Sequence, residues 1–140
     1  MPAPNGQLVT PVGINAAGLP RACAQLFGYT SQLLGQTRVE DCAAGTNVLD
    51  SGAVPAGVIW VVTALECHNY NSAVTFIRLG VYDGATNYWA TVKPAVPAAQ
   101  SAEWSGQLTL IEGDVVRGML FGCTLNDDIQ VSWFGYVMEL

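Results

Sequence analysis

The sequence predicts an all-β domain, and three observations predict it. Runs rich in Val, Ile, Thr and aromatic residues recur from Gly28 onward, as strands require. Turn-forming Gly, Asp, Asn and Pro punctuate them every eight to twelve positions, the rhythm of a sandwich or barrel. The last run alternates cleanly: Ile129, Val131 and Trp133 share one face while Gln130, Ser132 and Phe134 share the other.

The chain divides at about residue 27. Residues 1–27 hold four of the seven prolines with several Gly, Asn and Ala, and show no helical or strand period, so they read as an extended N-terminal arm. Within it, Pro20 to Phe27 permits one or two helical turns, because proline suits a first helical position. Residues 28–140 form the sandwich domain. Its expected strands are Tyr29 to Glu40, Thr46 to Ser51, and the β-branched, centrally buried run Val58 to Cys67. Val74 to Tyr82 and Asn87 to Val92 flank Asp83-Gly84, a dipeptide suited to the positive φ angles of a tight hairpin turn. The stretch Lys93-Pro-Ala-Val-Pro-Ala-Ala-Gln-Ser is expected to leave the sheet as a crossover or loop, since proline lacks the donor N–H. Trp104 to Ile111, Val115 to Phe121 and Ile129 to Met138 complete the set, with turns at Glu112-Gly113-Asp114 and Asn126-Asp127-Asp128. About eight antiparallel strands with a crossover are better buried as two facing sheets than as one open sheet. A jelly-roll-like sandwich is the first expectation and an immunoglobulin-like sandwich the second.

Composition narrows the functional classes. Of 140 residues, 51% are apolar and only 11% charged, so part of the surface must be neutral or apolar, and such a surface favours a partner. The basic residues Arg21, Arg38, Arg78, Lys93 and Arg117 are scattered, leaving no cationic stripe for phosphates, so nucleic-acid binding is not expected. The N-terminus lacks the pattern of a secretory leader, and the longest apolar stretch, Val54 to Leu65, is well short of the ~20 residues a membrane helix needs. Cytoplasmic synthesis without a membrane span is the expectation. Cys23, Cys42, Cys67 and Cys123 allow three disulfide pairings, but without CxxC spacing they read as reduced thiols serving as small hydrophobes.

No catalytic, metal or cofactor site is expected. His68 is the only histidine, and neither it nor the dispersed cysteines supply the three or four converging ligands of a metal centre. A Cys67–His68 dyad is disfavoured because neighbouring strand residues point to opposite faces. Asp127 and Asp128 with Asn126, and Glu112 with Asp114, are the oxygen-rich pairs a hard cation would use, yet strand-end turns collect the same residues for conformational reasons. Tyr88, Trp89 and Trp104 flank the Pro-rich stretch, and exposed aromatics there can anchor an interface or stack on sugar rings. Core packing explains them equally.

Two segments carry a family resemblance: SGAVPAGVIWVVTALE at residues 51–66, and GQLTLIEGDVVRGMLFG at 106–122 followed by NDDIQVSWFGYVMEL at 126–140. They resemble small tailed-bacteriophage virion proteins, in which a V-P-x-G turn leads into a W-x-V strand. In those proteins a later G-x-L-x-L-x-x-G-D turn leads into the closing strands of a jelly-roll-like sandwich. The matching positions are Val54, Pro55, Gly57, Trp60 and Val62, then Gly106, Leu108, Leu110, Gly113 and Asp114. The resemblance implies a non-enzymatic virion structural protein present in many copies. It would be a capsid decoration (cement) subunit contacting copies of itself, as a trimer by fold analogy, and the major capsid protein or other virion proteins. A tail or fibre component, or a glycan-binding sandwich module, is the alternative.

Overall fold

The computed structural model describes residues 29–140, with side chains from residue 31. The arm at residues 1–27, including the Pro20–Phe27 helical turn, lies outside the described residues. Eight strands follow in order: β1 (Tyr29–Val39), β2 (Gly45–Asp50), β3 (Val58–Asn69), β4 (Val74–Tyr82), β5 (Asn87–Val96), β6 (Ser101–Leu110), β7 (Val115–Cys123) and β8 (Ile129–Glu139). They form two four-stranded antiparallel sheets, ordered β1-β8-β3-β6 and β2-β7-β4-β5. The all-β expectation and the eight strands hold. Each sheet is too apolar on one side to stand in water, and the two close on a shared core.

That core is built by alternation. Leu33 from β1, Leu49 from β2, Val62 and Leu65 from β3, Ile77 and Leu79 from β4, Val116 and Leu120 from β7, and Ile129, Val131 and Trp133 from β8 are all buried in one cluster. Burying a Leu or Ile side chain contributes about 1.5–3 kcal/mol, so these inward positions set the strand registers. The period slips at Thr63, which is an extra residue of β3 against β8, while against β6 the extra residue lies on β6, where Gly106 and Gln107 face Thr63 alone. Beside it the backbone of β8 approaches β3 so closely that a Cβ on Gly135 would lie 1.9 Å from the Val61 carbonyl oxygen.

Two local expectations are corrected. The Lys93–Val96 segment does not leave the sheet: it continues β5, with Pro94 opposite Phe76 and Val96 opposite Val74. Proline is tolerated because β5 is an edge strand with a neighbour on one side only, so a missing N–H need not break a ladder. The passage between sheets shrinks to Pro97–Gln100, closed by Ala99 N–H donating to the Asn69 carbonyl at 2.8 Å. The β4–β5 hairpin is also looser than a two-residue turn. Tyr82 pairs with Asn87 across Asp83–Thr86, Gly84 adopts φ 95°, and Asp83 Oδ1 accepts from the N–H groups of Ala85 (2.9 Å) and Thr86 (2.7 Å).

Candidate functional site

The two resemblance segments meet at one end of the sandwich. Val54 N–H donates to the Asp114 carbonyl (2.9 Å) and Gly113 N–H donates back to the Val54 carbonyl (3.0 Å). Gly57 and Gly113 both hold positive φ, 82° and 91°, which glycine adopts without a Cβ penalty. Asp114 Oδ2 accepts from Ile111 N–H at 2.9 Å, and Ser51 Oγ accepts from Val116 N–H at 2.8 Å. Trp60 enters β3 beside this junction, opposite Leu110 and Val137, and packs on the core. These residues form a structural clasp, with the Asp114 carboxylate used by its own turn.

The opposite end is held by Asp127, whose carboxylate is buried and accepts from Asn69 Nδ2 (2.7 Å), Ser72 Oγ and Thr124 N–H (3.0 Å). Burial pushes its pKa up, but the bonds from Ser72, Asn69 and Thr124 outweigh that and hold it below the usual carboxylate range. Asp128 is taken by Arg38, which donates through Nε (2.8 Å) and Nη2. The carboxylates of Asp114, Asp127 and Asp128 are therefore engaged by the chain's own donors, and among the described residues no group of three or more His, Cys, Asp or Glu converges.

Cys67 and His68 part as the strand period requires. Cys67 lies in the core, where burial first, then Cys123 and Glu66, raise its thiol pKa. His68 lies on the outer face, edge-on to Tyr70 at 4.2 Å. Cys42, Cys67 and Cys123 are buried free thiols, and Cys123 is pushed up to about 11, mainly by burial. Among the described residues, Cys67 and Cys123 are thereby held as thiols rather than thiolate nucleophiles. Among the described residues no helix is long and apolar enough to cross a membrane.

The three aromatic candidates do not share a face. Trp104 packs against the core from β6, in the first sheet. Tyr88, on β5 of the second sheet, lines a groove of about 360 Å³ at the clasp end with Val81, Leu108, Ile111 and Asp114. Trp89 belongs to a group that sequence reasoning missed.

That group is the outer face of the β2-β7-β4-β5 sheet. Registers place Phe76 opposite Phe121 and Pro94, Arg78 opposite Met119 and Val92, and Val48 opposite Met119. The rings of Phe76 and Phe121 stack at 4.1 Å. Over them lies the Arg78 guanidinium, 5.3 Å from each centroid and 5.8 Å from Trp89. Its Nε is buried without a hydrogen-bond partner, and no carboxylate pairs with it among the described residues. Arg117 on the same face is satisfied instead: Asp50 accepts from it twice at 2.7 Å, Asn87 Oδ1 accepts at 3.0 Å, and Tyr82 stacks at 3.8 Å. Val48 and Val92 stand 47% and 50% exposed at the flanks. The unpaired cation was not legible in sequence, because the pairing that assembles its aromatic frame joins β4, β5 and β7.

The outer face of β1-β8-β3-β6 is more polar. Phe134 (39% exposed) on β8 and Leu34 (62%) on the edge strand β1 are cross-strand partners. Glu66 and Glu103 sit directly opposite each other on β3 and β6, lining a groove of about 390 Å³ with Ala64, Ser105 and Phe134. Glu66 accepts from Ser101 Oγ at 2.7 Å, whereas Glu103 has no bonded partner among the described residues. Neither a protein-family model nor a curated protein matches the chain.

Proposed function

We propose that the chain is a non-enzymatic virion structural protein, a decoration subunit that binds the assembled phage head in many copies and stabilises it. The observation that carries this reading is the outer face of β2-β7-β4-β5, with its exposed valines, stacked phenylalanines and an arginine that has no counter-ion among the described residues. Monomers rarely leave such a face uncovered, and assembly covers it. We also read the sandwich as a jelly roll. The pairings β1·β8, β2·β7, β3·β6 and β4·β5 are nested, as when one long hairpin is rolled into two sheets, and this supports the jelly roll over an immunoglobulin-like order. The hydrogen-bonded meeting of the Val54 and Gly113-Asp114 motifs supports the resemblance that suggested a virion protein.

A decoration subunit stabilises only what it binds, so its effect follows occupancy: at a free concentration about 100 times Kd it adds about 2.7 kcal/mol per site. The test uses particles of the encoding phage, prepared with and without this gene. The expected result is the chain in many copies on normal heads, heads lacking it that release DNA at lower temperature, and recovery when purified protein is added. Particles that never contain the chain, or whose heat resistance is indifferent to it, refute the reading.

The glycan-binding module remains a second reading because of the Phe134 groove. An aromatic ring beside two carboxylates and the Ser105 hydroxyl offers stacking and hydrogen-bond acceptors to a sugar. Saturable glycan binding abolished by Phe134→Ser, in a protein absent from heads, would establish it instead.

A further inference from the structure

We propose that the occupant of the Arg78 face is a second copy of this chain, docked head-to-tail through its Glu66–Glu103 face. The inference rests on the assembly reading above and names the partner that reading leaves open. Each face lacks what the other supplies. On one, a guanidinium framed by Phe76, Phe121 and Trp89 has no acid among the described residues. On the other, two carboxylates face each other across adjacent strands with no ion-pair partner among the described residues, and like charges directly opposite are unfavourable. Bringing Arg78 of one copy to the acid pair of the next relieves both at once. The apolar contacts are also matched, since Phe134 lines the acid groove with Leu34 paired to it on the next strand, while Val92 and Met119 flank the arginine and Val48 pairs with Met119.

Charge also sets the symmetry. An isologous contact would place Arg78 against Arg78, or the acid pair against the acid pair, so like-on-like docking of either face is disfavoured. The two faces lie on opposite sides of the sandwich, so the contact is heterologous and propagates, closing into a ring where the rotation per subunit permits.

The test is a charge exchange in the full chain, read by sedimentation velocity and light scattering across a concentration series. The parent is expected to self-associate. Arg78→Glu alone and Glu66→Lys/Glu103→Lys alone should each weaken association by at least about tenfold, because each then opposes like charges. Mixing the two variants should restore it, since both interfaces of the mixture again join opposite charges. Matching circular dichroism and unfolding midpoints show that the variants fold; Arg78→Met, which removes charge without reversing it, serves if Arg78→Glu does not, and should show an intermediate loss. A parent that stays monomeric at every concentration, association that survives Arg78→Glu, or a mixture that fails to recover overturns the proposal. Head binding by a monomeric parent would overturn this inference and leave the decoration reading standing. Self-association without presence on heads would do the reverse.

Discussion

Replacing Asp127 by alanine tests how the loops at one end of the sandwich are held. Its carboxylate joins three segments: β3 through Asn69, the β3–β4 loop through Ser72, and the β7–β8 turn through the Thr124 N–H. Ser72 and Thr124 lie near the surface, so water can take over their donors at small cost. Asn69 cannot be rescued in this way, being 1% exposed with Asp127 as the acceptor for its amide N–H. A bond to a charged acceptor contributes about 1.5–3 kcal/mol, and stranding a buried donor costs about 1–3 kcal/mol, so with incomplete additivity the loss should be about 2–4 kcal/mol. Asp127→Asn retains one acceptor oxygen and should lose about half as much.

The pH dependence provides a second check. The folded pKa of Asp127 is lowered, so its contribution is fully present above the unfolded value of about 3.9 and disappears as pH falls through the folded value. Urea unfolding at neutral pH should show the Asp127→Asn deficit, and the same titration at about pH 3 should show it shrinking. A deficit below about 0.5 kcal/mol for Asp127→Ala, or one that grows in acid, would refute the account of the loop clasp.

Three further outcomes are expected. Leu120→Ala, at a fully buried position of β7, should cost about 2–5 kcal/mol by urea unfolding, since the sheets cannot collapse onto the void. Gly135→Ala should be comparably damaging despite adding one carbon, because the backbone carbonyl of Val61 occupies the Cβ position; a soluble, equally stable protein would show that β8 can shift. In a Cys23→Ser protein the three buried thiols should react with a thiol reagent at pH 8 only after denaturant is added, and rapid labelling of the folded chain would contradict their burial.

Strand pattern, turn chemistry and apolar content were legible in the sequence because each depends on residues close along the chain. Ile129, Val131 and Trp133 share one face as read, which the structure turns to the core, and Val74–Tyr82 has the expected limits. The β5 extension was not legible, because a proline-bearing run reads as a loop unless it is known to occupy an edge, and edge position is a property of the whole sheet order. Similarly, Asp127 looks like an ordinary turn aspartate until Asn69 is brought to it from β3.

The candidate surfaces divide in the same way. By itself the sequence determined an all-β chain with few charges, scattered cations and no recognisable catalytic motif, since composition and spacing carry those properties. Only the tertiary structure decided that Phe76, Arg78, Trp89 and Phe121 form one group, that Glu66 opposes Glu103, and that the three aromatic candidates are separated. The physical reason is strand pairing: residues far apart in sequence become neighbours only through register, and the register is set by which side chains the core buries.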